Sequence, residues 1–202
     1  MGQLQFLRFM QLMFAQIGPK RNKKIPLAML LHSYELPGSD WKSRPPMTLR
    51  PFVVGGHDDV AKRARKNGCV AAWKTFDNLL SSRRVKIQVS PLASIEDAKL
   101  RIASFRDLML AGVEQNNRAV EVPLGPEFEK SPRLHHFEGF AYSFNRGKDR
   151  VQSFRIIAGR VDEIAYSVAC SSDDDDWTWD DVFALAILQR EKIVKCHESN
   201  PA

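Results

Sequence analysis

The stretch HFEGFAYSFNRGKDRVQSFRIIAGRVDEIAYSVAC, residues 136–170, decides the fold class. Over 136–144, Phe140, Tyr142 and Phe144 fall on one face, because alternate residues of a strand point the same way. Asn145-Arg146-Gly147-Lys148 supplies turn chemistry, and 151–158 reads as the next strand. Gly159-Arg160 is expected to make a tight connection into a strand over 161–170, whose inner side carries Ile164, Tyr166, Val168 and Cys170. Strands joined by so few residues pair antiparallel, since a parallel pair needs a crossover of about a dozen residues or more.

Working outward, Val120, Val122 and Leu124 alternate with polar or small neighbours over 118–124 and read as a further strand. Upstream lies a hairpin: a strand over 69–76, a polar loop from Asn78 to Arg83, and a second strand in which Val85, Ile87 and Val89 alternate with Lys86, Gln88 and Ser90. That alternation predicts one buried face and one wet face. Ser94 with Asp97 makes a capping-box start, and Ile95, Ala98, Ile102, Phe105 and Met109 recur at helical spacing, which predicts a continuous helix to Gly112. An earlier helix is expected where Asp58 and Asp59 precede Lys62–Lys66 and Asn67-Gly68 supplies the stop. A final helix carries Val182, Phe183, Leu185, Ala186, Leu188 and Ile193 to about Lys195, whereas the Pro-rich lead-in (Arg44-Pro45-Pro46, Arg50-Pro51) argues for irregular chain. The fold class is therefore α+β: a curved, mostly antiparallel sheet of about six strands with helices packed against it. Residues 25–197 form the expected domain, with 1–24 an N-terminal helical extension and basic linker and 198–202 a tail.

Thirty Lys and Arg against 24 Asp and Glu leave a formal charge of +6 over 202 residues, of which 44% are apolar. So small an excess permits contact with an anionic polymer or membrane without requiring it. No basic stretch interleaves with aromatics as a base-reading face would, so nucleic acid is not an expected partner. No run approaches the roughly 18–20 apolar residues of a membrane-spanning helix, and no transmembrane segment is expected. Gln3 to Ile17 is rich in large apolar residues, but the basic run Lys20–Lys24 follows it, the reverse of a secretory signal. The expected location is the cytoplasm. Extracytoplasmic or membrane-associated placement is the alternative if the start lies elsewhere or the N-terminal helix is an anchor. Cys69, Cys170 and Cys196 make an odd, widely spaced set without a C-x-x-C pair, as free thiols in a reducing compartment would. A single bridge between Cys69 and Cys170 stays open.

The most conspicuous polar feature is the run Asp173–Asp176 with Asp180 and Asp181. Clustered carboxylates suit hard cations, which makes Asp173, Asp175 and Asp176 the candidate metal ligands. The spacing lacks the central Gly and closing Glu of a calcium loop, and carboxylates also favour the N-terminus of the helix that follows. His135 and His136 with Glu138 suggest a metal or acid/base pair, but neighbours on a strand point apart, so only His136 and Glu138 share a side. Trp177 and Trp179 suit an anchor for the last helix better than a sugar platform. Arg63–Lys66 and Arg83–Lys86, with Lys20–Lys24, would bind an anionic surface only if folding merged them. There is no Gly-rich phosphate loop, G-x-S-x-G or H-E-x-x-H. No catalytic residue is assigned, no cofactor is expected, and an enzyme is the less favoured reading.

Leu30-Leu31 followed by Glu35-Leu36-Pro37-Gly38, the Gly68-Cys69 junction into a strand, the Ala98-bearing helix and the closing hairpin plus helix resemble uncharacterised actinobacterial domains and extracytoplasmic sensor-like modules. The order of elements over roughly 27–195 is also similar to PsbP-like domains. The resemblance is one of fold and implies a sensor-like role without catalytic residues. The expected function is thus a non-catalytic ligand- or protein-binding module, its partner a small molecule or another protein. The alternatives are a small metal-dependent enzyme using Asp173–Asp181 and a binder of nucleic acid or anionic surfaces.

Overall fold

The computed structural model describes residues 24–49, 58–116, 118–129, 137–147 and 150–199. The N-terminal helix expected over Gln3–Ile17, the linker as far as Lys23, and His57, His135 and His136 lie outside the described residues. In chain order the elements are α1 (Lys24–Ala28), a 3-10 turn (Ser33–Glu35), β1 (Trp41–Ser43), β2 (Met47–Leu49), α2 (Asp58–Lys66), β3 (Ala71–Asn78), β4 (Arg84–Pro91), α3 (Ile95–Ala103) and α4 (Phe105–Glu114). They continue with β5 (Ala119–Glu121), α5 (Gly125–Glu129), β6 (Phe137–Gly147), β7 (Arg150–Val161), β8 (Ile164–Ser172) and α6 (Trp179–Ser199).

One eight-stranded sheet runs in the order β1-β3-β4-β8-β7-β6-β5, with β2 also on β3, and each of its pairings is antiparallel. The α+β class holds, but among the described residues the sheet has eight strands rather than about six. The two missed strands are three residues long and flank Arg44-Pro45-Pro46. Proline lacks the N–H a ladder needs, so the lead-in meets β3 twice, Trp41 opposite Asn78 and Met47 opposite Trp73, instead of once.

Helices cover both faces of the sheet. On one face α6 and the chain after α1 close the main core, where Leu30, Val182, Leu185 and Ile193 meet Phe76, Val85, Ile87, Val168 and Cys170. On the other, α2 and α3 pack Val60, Ala64, Ala98 and Ile102 on Ala158 and Ala165. Nearby, Val113 of α4 meets the face of Phe140, Tyr142 and Phe144 that the alternation predicted. Trp177 and Trp179 are buried and fix the start of α6, the former donating from its indole Nε1 to the Ser171 carbonyl at 3.1 Å.

Local chemistry sets several boundaries. Gly68, at φ +70°, ends α2 while the Cys69 N–H reaches back to the Ala64 carbonyl at 2.9 Å. Ser94 caps α3 by accepting from the Asp97 N–H at 3.1 Å. The single helix expected through Gly112 breaks at Ser104, whose hydroxyl donates to the Leu100 carbonyl at 2.9 Å and competes with the helical ladder. The expected turn at Gly159-Arg160 is also displaced: β7 runs on to Val161 and the chain reverses at Asp162, at φ +49°. In α6 Leu188 is exposed, whereas Gln189 is fully buried and donates to the Met29 carbonyl at 2.7 Å.

Candidate functional site

The two faces of β4 are used differently. Val85, Ile87 and Val89 are fully buried beneath α6. Lys86, Gln88 and Ser90, read above as a wet face, form instead the floor of a cleft roofed by α3 and α4. The register explains why room is left there: β8 sets Ala169, Ser167 and Ala165 opposite these three residues, and small side chains cannot reach the helices above. Ile102, Phe105, Leu108 and Met109 supply the roof, and Ile156 and Ala158 of β7 a wall. The atom-free space, open mouth included, is about 790 Å³.

Two basic side chains stand in this mostly apolar space. Lys86 is half-buried, its Nζ 4.5 Å from the centroid of the Trp73 ring, and burial lowers its ammonium to about 7. Arg101, in the last turn of α3, is half-buried as a residue, yet its Nη1 is out of contact with solvent and has no hydrogen-bond partner. Burial pushes its guanidinium below the ordinary value. A buried charged donor left unsatisfied is costly, which makes this position a candidate for meeting an anionic ligand. Among the described residues no Asp or Glu lines the cleft.

The sequence-predicted candidates are arranged otherwise. Among the described residues no group of three or more His, Cys, Asp or Glu side chains is placed to hold a metal ion. The aspartates of the acidic run point to different partners. Asp173 lies 3.6 Å from Arg146 Nη1, Asp174 accepts from the Ser82 hydroxyl at 2.8 Å, Asp175 pairs with Arg155, and Asp176 lies 3.4 Å from Arg83 Nε. Burial raises the Asp175 carboxyl, but hydrogen bonds from Arg155 and Ser153 outweigh it and hold the group below its ordinary value. Arg83 also stacks on Trp177, its guanidinium carbon 4.0 Å from the ring centroid, and donates to Asp181 at 3.0 Å. The loop is thereby clasped to the β3–β4 hairpin.

Among the described residues, members of the basic stretches turn to separate partners. Arg63 pairs with the buried Asp97, Arg84 with Asp77, Arg83 with the acidic loop, and Lys86 enters the cleft. Cys69 packs on the α2–α3 cluster, Cys170 lies in the core beneath α6, and both are free thiols. Two further grooves, of about 970 and 900 Å³ on the same measure, each include an ion pair in their lining, Arg155 with Asp175 and Lys192 with Glu35.

Nothing in the β4 pattern alone distinguishes a wet face from a cleft floor. The signal lay in the pairing: small or polar residues on both β4 and β8 at matching positions, beneath two helices that carry an arginine beside Ile102, Phe105 and Met109.

No family model matches the chain. No curated protein matches it as a relative. Among solved structures the chain is similar to the extracellular domain of PknH from Mycobacterium tuberculosis, with a TM-score of 0.57 and 11% identity over 88% of this chain and 98% of that one. A likeness at that identity is one of fold. It gives no support to the cytoplasmic expectation. Among the described residues no helix is long and apolar enough to cross a membrane.

Proposed function

We propose that this chain is a non-catalytic ligand-binding module that holds a small molecule in the cleft between the sheet and the α3–α4 pair. The observation that supports the reading is the desolvated, unpartnered Arg101 Nη1 at the wall of a mostly apolar cleft. A module that only presented its surface to another protein would have no use for a buried cation facing an internal space. The likeness in fold to an extracellular domain supports a binding role at the level of fold. It also favours placement outside the cytoplasm.

Native mass spectrometry of the protein purified from its own host tests this, alongside an Ala169→Phe variant whose ring would occupy the cleft floor. The expected result is a small molecule retained by the wild type and missing from the variant. A bare wild type, or equal retention by both, counts against the cleft. A metal retained by both would instead revive a reading centred on Asp173–Asp181.

A further inference from the structure

We infer that the cleft is built for a small monoanionic amphiphile: a carboxylate on a short hydrocarbon body, the carboxylate held by Arg101 and the hydrocarbon lying against Ile102, Phe105, Met109 and Ile156. The inference rests on reading the cleft as a ligand site and supplies the ligand's chemistry.

The sign of the ligand's charge follows from the walls. Arginine keeps its charge at any accessible pH, and its planar guanidinium accepts a carboxylate through parallel N–H···O bonds. Arg101 Nη1 already has the burial that strengthens such a bond and lacks the partner. A cationic ligand would meet Arg101 and Lys86 with no carboxylate among the described lining residues to offset them. A neutral ligand would leave the guanidinium as costly as before.

The number of charges follows from the roof. A polyphosphate or oligosaccharide needs many donors, whereas Ile102, Phe105, Leu108 and Met109 offer none and would strip water from a second anionic group without replacing it. The same side chains give an alkyl chain or single ring the dry contact that burial rewards. Gln88 and Ser90, joined at 3.1 Å on the floor, leave polar capacity for one headgroup beside Arg101.

Titration calorimetry on the full chain with octanoate, n-octanol and octylammonium separates the terms. Octanoate is expected to bind at one equivalent and more tightly than n-octanol, with octylammonium not taken up. Arg101→Leu should weaken octanoate by about tenfold to a hundredfold, the loss expected of a charge-assisted hydrogen bond, and should leave n-octanol within about twofold. Arg101→Lys, which keeps the charge without the planar fork, should fall between. If Arg101→Leu fails to fold, Arg101→Lys and the wild-type preference for octanoate over n-octanol decide. An equal affinity for octanoate and n-octanol, or octanoate binding insensitive to Arg101, overturns the monoanion while leaving the cleft reading intact. Failure of all three probes to bind the wild type overturns both.

Discussion

Gly159 of β7 sits directly across from Tyr166 of β8, and a Cβ placed on Gly159 would stand 2.7 Å from both Cζ and Oη of the phenol. This glycine is therefore a seat for a ring and not a turn residue. Tyr166 is buried, so its ring has little freedom to retreat. Gly159→Ala is expected to cost about 1–3 kcal/mol, the range for overpacking a filled core, as measured by urea unfolding. Loss of less than about half a kcal/mol would show that the ring moves aside.

Lys86 gives the stability a pH signature. Burial lowers its folded-state value to about 7, against about 10.4 in an unfolded chain. Between those values the unfolded state binds the extra proton, so stability rises with pH through this window and the cost of the buried charge is fully present below about 7. The stability of the wild type relative to Lys86→Met should accordingly climb from pH 7 towards pH 10, by at most about 1.4 kcal/mol per pH unit. Urea unfolding of both proteins at several pH values measures it; a flat difference would mean the ammonium is better solvated than its position in the cleft implies.

The clasp on the acidic loop is open to a direct test. Arg83 holds the loop from three sides: by stacking on Trp177, by donating to the Asp176 carbonyl at 2.8 Å, and by pairing with Asp181. Arg83→Met keeps much of the stem and removes the charge. It is expected to lower stability by about 1–3 kcal/mol and to speed amide exchange across 173–178, while exchange in the interior of β7 stays slow.

The thiols should separate by burial. Cys170 is fully buried, and burial pushes its thiol far above the ordinary value; burial pushes the half-buried Cys69 up as well. With Ellman's reagent Cys170 should stay unmodified in the native protein and react only on unfolding, when three thiols are expected to titrate. One thiol in concentrated urea without reductant would reveal a bridge.

How much of this was legible beforehand depended on how local the cause was. The alternation of Phe140, Tyr142 and Phe144, the inward side of Ile164, Tyr166, Val168 and Cys170, the Ser94 cap and the Gly68 stop are written in neighbouring residues. Each follows from strand geometry or from a hydrogen bond spanning a few positions, and each is found in place. Antiparallel pairing followed from short connections in the same way. Gly159 reads as a turn residue because turn chemistry is the commonest local use of glycine, whereas its cause here is a ring on the next strand.

The sequence by itself determined the class of fold, the faces of its central strands and the anchoring of the last helix by Trp177 and Trp179, because backbone periodicity and local capping act within a few residues. Only the tertiary structure decided that the Pro-rich lead-in pairs twice with β3, that the helix after the hairpin breaks at Ser104, and that the polar side of β4 is covered rather than wet. Alternation reports that the two faces of a strand differ. What lies over the polar face is set by elements elsewhere in the chain, and on β4 those elements turn an ordinary lysine and a helix arginine into two desolvated cations facing one apolar cleft.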